Sequence, residues 1–485
     1  MTISGNPRRT KIVCTIGPRS SSPEVLRRMA LAGMGVARLN FSHGDHAGHG
    51  EVIRAVRQIS REIGWEIGIL QDLSGPKLRL GELPVPEREL RPGEEVFLAP
   101  ASVSHDPIIP VNYPHLLEDV AKDEQILIAD GLIELVVVEK QAKRLRCRVV
   151  VGGIIRSHKG VNLPASNLRI AAFTEKDRDD LAFGLEQQVD FVALSFIRHE
   201  DDLQPVQTIL DQSEHRPLLI AKIEKSQAVA RLEEILARAD GVMVARGDLG
   251  VEMPLEEVPV IQKRIVRMAR QAGKPVITAT QMLLSMVANP RPTRAETSDV
   301  ANAILDGTDA LMLSDETTMG DYPVEAVTVL DRIARTTEPY LDEQTLLKED
   351  PFEFLPVTAT AISRAACGLA RDLRAAAIVA STSSGSTARL VARFRPSCPV
   401  IALTPDLGTQ RQLSLSWGVV ADLVGPFETT DQMFALARSW ALETGIAGPT
   451  DRLVITAGIP VGVSGTTNLV KVLELSGHLE SAEDE

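Results

Sequence analysis

Lys222 and Glu224 flank Ile223 at the end of the apolar run Leu218–Ile223, so an extended backbone sends an ammonium and a carboxylate from the same face. The next apolar run, Gly241–Ala245, ends in Arg246-Gly247-Asp248-Leu249-Gly250 and supplies a second carboxylate between two glycines. Two carboxylates on neighbouring parallel strand tips can hold a hard divalent cation that keeps several waters and substrate oxygens, the pattern of Mg²⁺. A lysine beside such a metal suits phosphoryl or enolate chemistry. Lys222 and Glu224 could also do no more than pair with each other at a strand end, because buried charge is seldom left unpaired. Arg38, Asn40 and Ser42 alternate in the same way after Ala37, giving a bidentate grip for phosphate and two oxygen ligands for a cation. A third tip, Asp72-Leu73-Ser74-Gly75-Pro76-Lys77-Leu78-Arg79, adds an acid and two more cations.

The elements needed to bring these tips together follow from the apolar rhythm. KIVCTIGP, Gly35–Phe41, Ile67–Asp72, Val189–Phe196, Leu218–Ile223, Gly241–Ala245, Pro275–Thr280 and Asp309–Ser314 read as eight strands, separated or followed by amphipathic helices. The first helix shows its start in Ser22-Pro23 and its stop in Gly33. One amphipathic segment, carrying Ala228, Leu232, Ile235 and Leu236, is expected between the fifth and sixth strands. Eight βα units predict a (β/α)₈ barrel with its active site at the C-terminal ends of the strands, where the candidate residues fall. A long interruption after the third strand has period-two patterning and tight turns, as in Leu145, Cys147, Val149 and Val151. It predicts a small, barrel-like β domain inserted as a lid. After Glu338 comes a charged, proline-bearing linker, then an open α/β domain with strands at AAAIVAST, PVIALTP, VVADLVG and RLVITAG. The resulting partition is 1–79 and 170–345 for the barrel, 80–169 for the lid and 346–485 for the C-terminal domain. Thr382, Ser383, Ser384, Gly385, Ser386 and Thr387 lie between a strand and a helix start, where hydroxyls and backbone N–H groups can cradle a phosphate or simply form a capped turn. Gly462–Asn468 is expected to face that loop.

Composition bounds the partners. The chain has 485 residues, 44% of them apolar, and a formal net charge of −13 with no basic run. That balance argues against nucleic acid or an anionic membrane as partner. No run is long and apolar enough for a membrane span, and the start lacks a leader's apolar core, which together suggest a cytoplasmic protein. Cys14, Cys147, Cys367 and Cys398 have neither disulfide nor zinc-finger spacing and read as free, buried thiols.

The stretches ARLNFSHG, DLSGPKLR, HKGVNLP, SFIR, KIE, ARGDLGVE, ATQML, PRPTRAETSDVANAILDGTDALMLSDET and GDYP stand in the order found in pyruvate kinases. SGSTARLVARFRP and the GTTN stretch extend the resemblance through the last domain. The resemblance implies transfer of a phosphoryl group from phosphoenolpyruvate to ADP, giving pyruvate and ATP, in a glycolytic, allosteric homotetramer. It implies Mg²⁺, with Mn²⁺ as an alternative, on Glu224 and Asp248, with Lys222 stabilising the phosphoryl group and enolate. Arg38 resembles the phosphate-binding arginine, and the N–H groups around Gly247 and Asp248 with Thr280 resemble the substrate-carboxylate pocket. Asn40, Phe41, Ser42, His43, Arg79 and Lys159 correspond to nucleotide contacts, and Thr382–Thr387 to a loop for a phosphorylated effector. For protonation of the enolate, a relay through Thr280 is favoured over Lys222, since a threonine hydroxyl is a poor acid alone. Asn40, Ser42, Asp72 and the Leu73 carbonyl match a K⁺ site. Lys77 replaces the acid that K⁺-requiring members carry, so K⁺ is expected to be dispensable. Asp315 departs from the usual glycine of the family. A metal-dependent lyase of the phosphoenolpyruvate/pyruvate barrel group, or an inactive metabolite sensor, are the competing readings. Arg79 and Lys159 weigh against the first, and the joint presence of Lys222, Glu224, Asp248 and Thr280 against the second.

Overall fold

The computed structural model of the chain describes residues 8–102, 107–166, 168–348, 355–460 and 466–476. Eight parallel strands, Lys11–Thr15, Val36–Asn40, Gly68–Asp72, Phe191–Leu194, Leu218–Ile223, Gly241–Ala245, Val276–Ala279 and Ala310–Leu313, close into a barrel. Closure comes from the first strand pairing with the eighth, Lys11 opposite Ala310. These are the eight strands read from the sequence, the fifth and sixth with the same bounds and the other six shortened at their ends. Their continuous apolar runs reflect burial of both faces. Val13, Leu70, Phe191, Ile220, Met243 and Ile277 point into the barrel, while Ile12, Ile69, Val192, Leu219 and Val242 meet the helix layer.

Local chemistry explains where helices begin and end. Ser22 accepts the N–H of Val25, Pro23 occupies the first turn, and Gly33 ends the helix at φ +122°, a value L side chains rarely adopt. Thr174 and Asp177, and again Thr293 and Glu296, form reciprocal capping boxes. The single amphipathic helix expected between the fifth and sixth strands is two short helices, Ser226–Ala230 and Leu232–Arg238. Arg231 leaves the helical region between them at φ −107°, ψ 29°. Ala228, Leu232, Ile235 and Leu236 are all buried nonetheless.

The inserted segment forms a six-stranded sheet in the order Val161–Asn162, Gln125–Ile128, Ile133–Gln141, Arg144–Val151, Glu95–Pro100, Ile109–Val111, beside a two-stranded ribbon of Arg88–Leu90 and Gly153–Ile155. Isolated bridges join Arg79 to Gly160 and Leu80 to Val111, so the entering chain touches both ends of the sheet and curls it towards closure. Leu145, Cys147 and Val149 are buried in its own core, whereas Val151 is exposed at the strand end.

The third unit is a five-stranded sheet, Val419–Leu423, Val400–Thr404, Ala377–Ser381, Arg452–Gly458 and Thr467–Glu474, with apolar clusters on both faces. The first four strands match the sequence reading. The fifth, antiparallel edge strand was not anticipated, because its exposed Asn468 and Glu474 break the apolar pattern. Residues 462–465 of the segment expected to face the hydroxyl loop lie outside the described residues. Just before the linker, Glu338 is buried and accepts the backbone N–H groups of Arg9 and Thr10, tying the end of the last barrel helix to the first strand.

Candidate active site

The fifth barrel strand carries Lys222 to the mouth, where its ammonium is the hub of the site. Nζ lies 2.8 Å from Glu224 Oε1, 3.3 Å from Asp72 Oδ1, and donates to Ser195 Oγ at 2.7 Å. Lys222 and Glu224 therefore do pair, as the plainer reading had it, but within a larger network. Asp72 is 1% exposed and is also held by Arg38, through Nε and Nη2 at 2.7 Å each. Arg38 Nη1 donates to Thr15 Oγ1 at 2.8 Å, and Thr15 in turn to the Leu313 carbonyl. Burial opposes the Asp72 charge, yet Lys222 and Arg38 outweigh it and hold the carboxyl below its usual range. Burial likewise opposes the Lys222 charge, and Asp72 with Glu224 overcomes it, so the ammonium keeps its proton well above the ordinary lysine range.

Glu224 has the opposite balance. It is 1% exposed, and burial raises its carboxyl despite Lys222, with Asp248 across the gap adding to the rise. The N–H of Phe196, a residue at φ +57°, donates to Glu224 Oε2 at 2.8 Å. Asp248 stands in the first turn of the helix Arg246–Glu252, and among the described residues its carboxylate makes no hydrogen bond or ion pair. Two carboxylates facing each other, one of them with neither hydrogen bond nor ion pair among the described residues, make an oxygen donor set suited to a hard divalent cation.

Thr280 sits at φ +68° at the tip of the seventh strand. Its Oγ1 donates to the Ala279 carbonyl at 2.6 Å and accepts the Gly247 N–H at 2.8 Å. The hydroxyl and the N–H expected to hold a substrate carboxylate are thus neighbours, bonded to each other. Sequence reasoning missed the group that positions them. Arg246 binds both oxygens of Asp299 (2.8 and 2.7 Å) and donates to the carbonyls of Thr280 (2.7 Å) and Ala279 (3.2 Å). Ser195 was also missed; it bridges Lys222 and the Leu73 carbonyl, to which it donates at 2.9 Å. Ser195 opens the SFIR stretch, and nothing in the sequence marks it as a partner of Lys222.

The expected nucleotide residues divide into two groups. Arg79 and Lys159 come together where Arg79 bridges Gly160, with Arg79 Nη1 on the His158 carbonyl at 3.0 Å and Lys159 exposed. Asn40, Ser42 and His43 cluster at the second strand tip, where Asn40 Oδ1 accepts the Ser42 N–H at 3.1 Å and the His43 carbonyl accepts from His49. Phe41 is 3% exposed and stacks on His49 at 4.3 Å, so its ring is packing and only its backbone faces the loop.

Of the expected K⁺ ligands, Asp72, the Leu73 carbonyl and Asn40 Oδ1 are each engaged by Arg38 with Lys222, by Ser195 and by Ser42. Lys77 is exposed, with its stem beside Gly160 of the inserted domain, and it is not an ion-pair partner of Asp72. Asp315 is exposed in the short helix Asp315–Thr318, and its charge adds to the rise that burial imposes on Glu316.

Far from the mouth, the Thr382–Thr387 loop turns at Gly385, φ +77°, into the helix Ser386–Ala392. Its Ser383 and Ser384 carbonyls accept from Thr409 and Arg389, and Thr387 meets Thr467 hydroxyl to hydroxyl at 2.7 Å. The four cysteines are free, with Cys398 the least buried.

Comparison with known proteins matches residues 7–327 to the family described as pyruvate kinase, barrel domain, and residues 360–473 to pyruvate kinase, alpha/beta domain. The chain is 46% identical over 473 residues to the pyruvate kinase of Geobacillus stearothermophilus, covering 97% of this chain and 81% of that one. It is 47% identical over 477 residues to pyruvate kinase 2 of Synechocystis sp., covering 97% and 80%. To the pyruvate kinase of Clostridium perfringens it is 45% identical over 470 residues, covering 96% and 99%.

Proposed function

The chain belongs to the pyruvate kinase family, and from that membership we infer how its barrel mouth moves the phosphoryl group of phosphoenolpyruvate to ADP, yielding pyruvate and ATP. Arg38 and Lys222 take the phosphoryl group, whose charge spreads over its peripheral oxygens as it leaves the enol oxygen for the terminal phosphate of ADP. Lys222 is suited to this because Asp72 and Glu224 fix it as a cation before substrate arrives, so no reorganisation is needed when charge develops. Gly247 N–H and the Thr280 hydroxyl exchange their mutual bond for the substrate carboxylate, while Arg79 and Lys159 draw the nucleotide under the inserted domain, which excludes water. Glu224 and Asp248 would hold Mg²⁺ or Mn²⁺, which supplies a Lewis acid for carboxylate and phosphoryl oxygens.

The enolate left behind takes a proton at its methylene carbon. The strongly held ammonium of Lys222 is a poor donor, which supports a relay that includes Thr280. The observation that carries the whole reading is the convergence of Arg38, Asp72, Lys222 and Glu224 at one end of a closed barrel. A coupled assay for pyruvate with and without ADP tests it: turnover requires both substrates, and ADP-independent pyruvate formation or silence refutes it.

K⁺ is dispensable, in keeping with the saturated surroundings of Asp72 and the Leu73 carbonyl and with the extra ammonium of Lys77. A phosphorylated metabolite binds at Thr382–Thr387 and alters the response to phosphoenolpyruvate, supported by the exposure of Ser383 and the hydroxyl-lined turn. Family membership is the support for a cytoplasmic homotetramer. Division into three units near residues 80, 170 and 346 is supported by their largely separate apolar clusters, with Leu78 and Ile170, placed with the barrel, packing on the lid's side of the seam.

A further inference from the structure

Lys225 follows Glu224 directly, and Glu252 lies one helical turn after Asp248. Their side chains, 11% and 1% exposed, meet at 2.5 Å between Nζ and Oε1. Asn162, in the last strand of the inserted domain, donates from Nδ2 to the same Oε1 at 3.3 Å, and the other carboxylate oxygen of Glu252 is buried without a partner. The lid makes a second approach nearby: a Cβ added to Gly131, at the turn between two lid strands, would lie 3.8 Å from a methyl of Val251. Both contacts fall on the far end of the helix Arg246–Glu252, whose near end carries Gly247 and Asp248. On the other side, the Lys225 ammonium is 5.9 Å from the Phe196 ring, and the Phe196 N–H binds Glu224.

Glu224 and Asp248 are like charges on neighbouring strand tips and push those tips apart. An opposite-charge pair formed one residue beyond Glu224 and one turn beyond Asp248 pulls the same two tips together. We propose that the Lys225–Glu252 pair is a positioning device that sets the spacing of Glu224 and Asp248, and that Asn162 seats the lid on it, so that lid position is felt at the metal-binding carboxylates. This rests on the reading of Glu224 and Asp248 as the divalent-cation site. None of the three residues touches substrate in this scheme. Asn162 acts through Glu252, Glu252 through the helix bearing Asp248, and Lys225 through the strand tip bearing Glu224.

The test is Mn²⁺ binding to the full-length protein without substrate, followed by water-proton relaxation, alongside steady-state kinetics. Lys225→Met and Glu252→Gln should each weaken Mn²⁺ about tenfold, the lower end of the usual effect of outer-shell partners. Lys225→Arg, which preserves the pair, should remain within about threefold of wild type on the same scale. Asn162→Ala should weaken Mn²⁺ about fivefold, less than either partner of the pair because Lys225 still holds Glu252, and raise the KM for ADP by a similar factor with a smaller change in kcat, a split that a purely structural contact would not produce. Unchanged Mn²⁺ affinity in both Lys225→Met and Glu252→Gln overturns the positioning role, and unchanged Mn²⁺ affinity in Asn162→Ala overturns the lid's part in it. Should wild type itself fail to bind Mn²⁺, the assignment of Glu224 and Asp248 falls instead, which keeps the two failures apart.

Discussion

Replacing Lys222 with Met removes the one cation shared by Asp72, Glu224 and Ser195 while nearly preserving the volume of its stem. Asp72 keeps two contacts from Arg38, but Glu224 keeps only the Phe196 N–H and still faces Asp248. Loss of one partner from a buried pair costs about 3–5 kcal/mol, so the metal-free variant should be measurably less stable. A divalent cation opposes the newly exposed repulsion, so added Mg²⁺ should raise the melting temperature of Lys222→Met more than that of wild type. Turnover should not recover with the metal. A preorganised charge of this kind is worth about 2.7–4 kcal/mol to the transition state, which predicts a fall in kcat of about 10²–10³. The coupled pyruvate assay at saturating Mg²⁺, phosphoenolpyruvate and ADP reads it directly. More than about a tenth of wild-type turnover, a loss below roughly 1.4 kcal/mol, would refute the role given to Lys222.

With tetramethylammonium as the only monovalent cation, wild type should be nearly fully active and Lys77→Glu should acquire a K⁺ requirement; a wild-type rate that climbs more than about tenfold on adding K⁺, roughly 1.4 kcal/mol, rules this out. Saturation curves for phosphoenolpyruvate taken with AMP and with sugar mono- and bisphosphates should shift with at least one compound and lose the shift in Thr382→Ala, and indifference to the whole panel counts against the loop as an effector site. At the base of the barrel, burial and Arg8 lower the Lys11 ammonium to about 8 against an ordinary 10.5. A lowered folded-state pKa means that the unfolded chain binds the extra proton between those values, so wild type should gain stability relative to Lys11→Met as pH rises from about 8 to about 10 in urea titrations. A flat difference across that window contradicts the shift.

The barrel was legible because its strands are buried on both faces, leaving apolar runs such as Leu218–Ile223 that end abruptly in charge at the mouth. Alternation within one strand correctly grouped Lys222 with Glu224, since that relation depends on the backbone alone. The network across strands was not legible. Asp72 belongs to the third strand and Lys222 to the fifth, and their 3.3 Å contact exists only because the strand bearing Ser195 lies between them in a curved wall. Arg246 and Asp299 meet for the same kind of reason, from a strand end and a helix that no local spacing relates. No local spacing relates Lys225 to Glu252 either, and their contact is buried. The edge strand Thr467–Glu474 escaped because a half-covered strand carries half a pattern.

The pairing of the first barrel strand with the eighth also has a consequence for how the protein is made. Lys11–Thr15 finds one of its two neighbours, Ala310–Leu313, roughly 300 residues later, a wait of about 15–60 s at 5–20 residues per second on the ribosome. Its other seam, to Val36–Asn40, is available almost at once, so the nascent chain carries a ribbon of parallel strands with one open, apolar edge for most of translation. The inserted domain has no such dependence: its two sheets are drawn from between Arg88 and Asn162 and can close on their own core while the barrel ribbon waits. Synthesis thus delivers a finished lid on an unfinished barrel, and the open edge of the first strand is where a chaperone, or a neighbouring nascent chain, has longest to bind.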